Sequence, residues 1–279
     1  MNFPKKAFFK STDFLVILFL WFCSTPQISI AEDKKNSNVL DFLVKDFYQD
    51  GKQLVTVPFH LSKNARLKAI GFVGVGITLF LVDEDLQKIF QENRTNSTDK
   101  FADFVRPYGD KLPNFLLGGI YLKGLVFKDQ KAKNTAYLGF KSILFTQGIV
   151  MGLKYFTGRE RPSGHRGAYF FKMLDFSPGE NSLSFLSGHA ATAFAFSSVI
   201  ANQYPKVWVK ILVYSAATLV AWSRVNDNVH FASDVVMGSA IGWYVGTTLT
   251  KFHQKKKSNI ALNLELNKNL PQVQLQFIF

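Results

Sequence analysis

The sequence predicts an all-α fold: a helical bundle of about six core helices with the chemistry gathered at one end, plus a short C-terminal β-hairpin. Three observations carry that expectation. Six apolar segments of helix-compatible composition run through Ala69–Val82, Asn114–Phe127, Ala136–Lys154, His189–Tyr204, Val207–Trp222 and Val235–Thr250. They are interspersed with Gly, Ala, Ser and Thr, small residues that let helices approach closely. Polar stretches that carry charges, a histidine or both lie at the segment ends, at Lys154–Pro162, Ser184–His189 and Ser223–Asp234. Finally, the chain changes period near its end. Ile260, Leu262, Leu264 and Leu266, then Val273, Leu275, Phe277 and Phe279, alternate with mostly polar residues around a turn at Asn267–Pro271. Alternation of period two is the strand pattern.

Taken in order, residues 1–31 read as a secretory signal peptide. Lys5, Lys6 and Lys10 make a positive start, Phe14–Cys23 an apolar core, and Ser29-Ile30-Ala31 the small residues of a cleavage site. Cys23 is the single cysteine, so no disulfide forms within the chain. Residues 32–67 read as a linker and an amphipathic helix, with Leu40, Leu43, Val44 and Phe47 at helical spacing. Asp83–Asn93 adds an amphipathic turn or two. Residues 68–252 hold the bundle, and 253–279 the strand tail, joined by the lysine-rich Lys251–Lys257.

The net charge of +13 favours anionic partners such as phospholipid headgroups. No aromatic-interleaved basic stripe or nucleic-acid motif appears, so nucleic acid is not an expected partner. Aromatic residues make up 15% of the chain, with 29 Phe, ample for a large core. A mean hydropathy of +0.06 is low for a chain mostly embedded in lipid. Lys123, Lys141 and Lys210 interrupt three of the apolar segments. If every segment crossed a membrane, the polar stretches would face the cytoplasm. Asn114–Phe127, short and holding Lys123, is the candidate that does not cross. Membrane association is expected; full spanning is left open.

The polar stretches contain what a phosphate-handling site needs. His230 and Asp234 are four residues apart, so on a helix they share a face, where a carboxylate can fix the imidazole tautomer. Arg224 offers a planar fork of donors for phosphoryl oxygens. Lys154 and Arg161 lie seven apart at the end of an apolar segment. Ser187, Gly188 and His189 open a small-residue helix, whose free N–H groups favour anions. Plainer readings stand beside these. Lys154 could simply end a helix, Arg159 could take the part of Arg161, and Asp227 could cap the helix or pair with Arg224. His165 reads as a rim residue, and His60 and His253 as surface histidines. No repeated His or carboxylate spacing of metal-site type appears.

In order and internal spacing the three stretches resemble the type 2 phosphatidic acid phosphatase and vanadium haloperoxidase family. Its signature is Lys-x6-Arg-Pro, then Pro-Ser-Gly-His, then Ser-Arg-x5-His-x3-Asp. Here these are Lys154–Pro162, Leu186–His189 and Ser223–Asp234, within a resemblance covering roughly Ala136–Lys251. Leu186 departs from the family's proline, which removes a turn constraint but no catalytic atom. Pro162-Ser163-Gly164-His165 also matches the second motif letter for letter, but it overlaps the first motif and no helix is expected after it.

The resemblance implies a phosphatidic acid phosphatase type 2-like helical domain over 68–252 and a metal-independent phosphatase without cofactor. His230 would be the nucleophile, Asp234 its orienting carboxylate and His189 the general acid–base. Lys154, Arg161, Ser187, Gly188 and Arg224 would bind the phosphate. The implied substrate is a phosphorylated lipid or small phosphate ester, handled on the non-cytoplasmic side of a cell-envelope membrane. A broad-specificity periplasmic acid phosphatase and, behind it, a vanadate-dependent haloperoxidase are the competing members of the same family.

Overall fold

The computed structural model of the chain describes residues 39–174, 179 and 181–267. The signal-peptide reading of 1–31 and the second predicted strand therefore lie outside the described residues. The chain divides into two compact units, 1–47 and 48–279. Of the first, the described part is the opening of helix α1 (Val39–Thr56). The second is the body that carries every feature below.

Each of the six apolar segments is a helix. They fall in α2 (Lys63–Leu81), α5 (Leu112–Val126), α6 (Gln130–Thr157), α7 (Gly188–Gln203), α8 (Val207–Asn226) and α9 (Ala232–Asn267). Two short helices, α3 (Asp83–Glu92) and α4 (Asn96–Val105), stand between α2 and α5. Capping residues set several starts. Ser62 Oγ accepts from Ala65 N–H at α2, Thr95 and Thr98 form a capping box at α4, and Asp129 accepts from Ala132 N–H at α6. Helix α6 stops at Gly158, which takes a left-handed φ of 55°. A Cβ there would collide with the Lys172 carbonyl, so the position needs glycine twice over.

Helix α7 is the centre of the bundle, with α6, α8 and α9 packed around it. Its closest partner is α9, because Gly238, Gly242 and Gly246 recur every fourth residue and form one bare stripe. A Cβ at Gly238 would lie 2.6 Å from the Ser187 carbonyl oxygen, and one at Gly246 would lie 2.5 Å from that of Ala195. A Cβ at Gly242 would collide with the Ala191 carbonyl. This stripe lets the backbone of α9 touch that of α7 and fixes how their N-terminal ends meet.

Lys141, which interrupts an apolar segment in the sequence, is fully buried and ion-paired with the equally buried Asp50 of α1. His253 also contacts Asp50, at 2.8 Å, so it is a partly buried partner of a carboxylate and not the surface histidine expected.

The predicted hairpin is not formed by its first half. Helix α9 runs through Asn267, so Ile260, Leu262, Leu264 and Leu266 are helical. Ala261, Leu262, Leu264, Glu265 and Leu266 are good helix formers, and a short alternating run has no intrinsic hold on a strand without a sheet to join. Among the described residues there is no strand, only one isolated bridge, between Arg159 and Phe171.

Among the described residues, α2 and α6 are long and apolar enough to cross a membrane, and α5 is a shorter apolar helix. Helix α2 is 6% buried over its apolar window, so nearly all of that surface is presented outward. Exposed large apolar residues continue on α5 (Phe115, Leu122, Val126) and α8 (Trp208, Ile211, Leu212).

Candidate active site

The three polar stretches meet at one end of the bundle, where α6 and α8 finish and α7 and α9 begin. Their side chains form one connected, buried arrangement.

Asp234, in the first turn of α9, is fully buried and surrounded by donors. Its Oδ2 accepts from Ser184 Oγ at 2.6 Å and from Phe231 N–H at 3.0 Å. Its Oδ1 accepts from Arg159 Nη1 at 2.6 Å. His230 Nδ1 lies 3.9 Å from Asp234 Oδ2 and 3.4 Å from Ser184 Oγ. The sequence spacing thus does put imidazole and carboxylate together, although His230 sits in the loop before α9 and not on the helix itself. Burial drives the His230 pKa down to about 4, with the negative charge of Asp234 nearby pulling the other way. The ring is therefore neutral at pH 7, as a nitrogen nucleophile must be.

His189 occupies the first turn of α7. Burial and the surrounding charges of Arg224, Arg106 and Lys154 push its pKa down to about 3. A field of this sign favours an anion beside the ring. Ser187 caps α7, and its backbone N–H donates to the Asp234 carbonyl at 3.0 Å, tying the start of α7 to the start of α9. Gly188 is held through its carbonyl by Gln147 Nε2 at 3.1 Å. The 3-10 turn Arg106–Gly109 backs this corner, and a Cβ at Gly109 would sit 2.7 Å from the His189 carbonyl oxygen.

Three cations complete the arrangement. Lys154, in the last turn of α6, is 8% exposed and donates to the carbonyls of Leu183 and, at 3.4 Å, Ser184. Arg161 is half-buried, and its Nε is buried with no hydrogen-bond partner among the described residues. Arg224 is 5% exposed, pairs with Asp227 and donates to Ser223 Oγ at 3.2 Å. So Asp227 does what the plainer reading allowed, and pairs with Arg224.

The two arginines of the first motif have different situations. Arg159 is fully buried and spends its guanidinium on protein. Nε donates to the Ala168 carbonyl at 2.9 Å, Nη1 to Ser233 Oγ at 2.8 Å as well as to Asp234, and Nη2 to Asp83 Oδ2 at 2.8 Å. It also lies against the faces of Phe80, Phe171 and Phe231. Arg161 is the one with an unspent donor. The second Ser-Gly-His run, Ser163–His165, lies on the 3-10 turn Pro162–Gly164 with His165 exposed just after it, and no α-helix begins there.

Residues 136–258 match the model of the PAP2 superfamily. Relatives of the chain include the lipid A 1-phosphatase of Porphyromonas gingivalis, 26% identical over 189 residues, covering 66% of this chain and 38% of that protein. The lipid A 1-phosphatase of Rhizobium etli is 33% identical over 110 residues, covering 39% of this chain and 46% of that protein. The chain thus spans less than half the length of these curated relatives. Among solved structures it is similar to the crystal structure of Aquifex aeolicus LpxE, with a TM-score of 0.48 and 24% identity over 60% of this chain and 93% of that one.

All eight candidate residues, from Lys154 to Asp234, lie inside the PAP2 segment, yet helix α3, well before it, holds the site from behind. Asp83, Gln87 and Gln91 follow one another at four-residue spacing and share a face. Asp83 accepts from Arg159 and from Ser233 N–H at 2.9 Å. Gln87 Nε2 donates to Asn228 Oδ1 at 2.9 Å, and Gln91 Nε2 to the carbonyls of Val225 and Asn226 at 3.3 Å each. Next to Asp83, Glu84 accepts from Ala168 N–H at 2.9 Å. The amphipathic turn or two expected at Asp83–Asn93 is this helix, but its place behind the site was not foreseen, because nothing in a local window names partners 76 to 150 positions away.

Proposed function

We propose that this protein is a membrane-associated phosphatase of phosphorylated lipids that works through a phosphohistidine, without a metal ion. The observation that carries the reading is the buried run Arg159–Asp234–Ser184–His230 opposite His189, with Lys154, Arg161 and Arg224 around it. The PAP2 match and the relatives named lipid A phosphatases support phosphate-ester hydrolysis. The outward apolar faces of α2, α5 and α8 favour a lipid substrate over a broad-specificity soluble acid phosphatase or a vanadate-dependent haloperoxidase.

In the first step the neutral His230 attacks phosphorus, and the P–N bond forms as the P–O bond to the leaving group breaks. His189, protonated in the presence of the phosphate dianion, gives its proton to the departing oxygen. Asp234 holds the His230 ring and offsets the positive charge it gains. In the second step water attacks phosphorus, His189 takes a proton from that water, and the P–N bond breaks to release inorganic phosphate. Lys154, Arg161 and Arg224 neutralise the equatorial oxygens, where charge is spread in the transition state, and Ser187 and the Gly188 N–H add hydrogen bonds. The domain spans 68–252, export is directed by residues 1–31, and the site faces the non-cytoplasmic side, against an anionic membrane surface that suits the basic chain.

The test is hydrolysis by the purified full chain of p-nitrophenyl phosphate and of detergent-dispersed lipid phosphates. The reading expects activity that survives EDTA, is blocked by vanadate, is higher on the lipid and is lost in His230→Ala. Loss of activity on EDTA treatment, or full activity in His230→Ala, would defeat it.

A further inference from the structure

We propose that Asp83 and Arg159 are positioning residues that set the orientation of Asp234 and, through it, of His230. This rests on the phosphatase reading for its kinetic consequences but not for its geometry.

The argument begins with the valences of Arg159. A guanidinium has five N–H donors in a rigid fork. Here the fork is divided between two carboxylates on different helices, Asp234 on α9 at 2.6 Å and Asp83 on α3 at 2.8 Å, with Ser233 Oγ and the Ala168 carbonyl taking further donors. Arg159, Asp83 and Asp234 are each fully buried, so none of these charges can turn to water. Asp83 in turn accepts from the N–H of Ser233 and from its hydroxyl, the residue next to Asp234. The first turn of α9 is thus pinned twice by α3, once directly through Ser233 and once through Arg159. The Asp234 oxygen left over, Oδ2, is the one that faces Ser184 and His230.

Each member therefore constrains the next. Without Asp83, Arg159 keeps a single carboxylate partner and is free to pull the Asp234 carboxylate toward itself, away from the imidazole. A lysine in place of Arg159 cannot serve both carboxylates in fixed geometry, because its ammonium is a point charge on a flexible stem. Asp83 stands 53 residues before the PAP2 segment, so a helix outside that segment completes the orientation of the proposed nucleophile.

The test uses the full-length protein with Asp83→Asn, Arg159→Lys, Asp234→Asn and the double variant Asp83→Asn/Asp234→Asn. With p-nitrophenyl phosphate, Asp83→Asn is expected to lower kcat about ten- to a hundred-fold while KM stays within about two-fold, since misplacement and not binding is what changes. In the Asp234→Asn background the same change is expected to cost less than about two-fold, because its effect passes through Asp234. Independently of activity, NMR titration of His230 is expected to show its midpoint moving to lower pH in Asp83→Asn and in Arg159→Lys, with no further move when Asp234 is already Asn. Equal fold-losses from Asp83→Asn in both backgrounds, or an unmoved His230 titration, would overturn the proposal. If Asp83→Asn does not fold, Arg159→Lys alone decides, by the same titration. A wild-type chain that hydrolyses nothing defeats the phosphatase reading and leaves the titration result standing by itself.

Discussion

Replacing His230 by Gln removes a buried titratable ring and keeps its hydrogen-bonding capacity, so the pH dependence of stability isolates its burial. The His230 pKa lies at about 4 in the folded protein, against an ordinary value of 6.5. The folded value is the lower one, so between those two pH values the unfolded chain binds the proton and the folded chain resists it. Stability contributed by the neutral ring is complete above pH 6.5 and is lost as pH falls toward 4. A difference of this size corresponds to on the order of 3 kcal/mol across the window. The assay is thermal unfolding of wild type and His230→Gln in the same detergent from pH 7.5 to 4. The wild type should lose more stability than the variant as the pH falls, with the gap opening below pH 6.5. Parallel curves would refute the claim that the ring is held neutral by burial at this spot.

Other expectations follow from the same geometry. Gly242→Val drives a side chain into the Ala191 carbonyl and should cost upward of about 3 kcal/mol, read as a fall in unfolding temperature. Arg161→Ala should lower kcat/KM about a hundred- to a thousand-fold and weaken vanadate inhibition, with little change in unfolding temperature, because its Nε carries no partner among the described residues. Gln91→Ala removes two long hydrogen bonds to the C-terminal end of α8, just before the His230 loop, and should lower kcat by less than about ten-fold without moving the unfolding temperature by more than a few degrees.

Much of this molecule was legible in its sequence for a simple reason. Six apolar runs with small residues are long-range in effect but local in pattern, and each is a helix. That Lys154, Ser187, His189, Arg224, His230 and Asp234 would lie together was expected from the order and spacing of three motifs that resemble the type 2 phosphatidic acid phosphatase family; charge and spacing alone suggested only an anion pocket. What stayed hidden depended on partners far away in the chain. Nothing local to Arg159 says that its guanidinium goes to Asp83 and Asp234, 76 and 75 positions off. The lysine in the apolar run of α6 looked like an interruption until Asp50 was seen beside it. The alternation at Ile260–Leu266 failed for the opposite reason. It was a local pattern with no strand beside it among the described residues, and the helix that precedes it simply continues.

The most direct measurement is covalent trapping. Rapid quenching of the enzyme with 32P-labelled phosphomonoester should leave acid-labile, base-stable label on wild type. With p-nitrophenyl phosphate as the labelled ester, whose leaving group needs no proton, His189→Ala should accumulate more of it, since that variant cannot activate the water. The account requires that His230→Ala carry none. Label persisting in His230→Ala, or turnover without label in any variant, would contradict it.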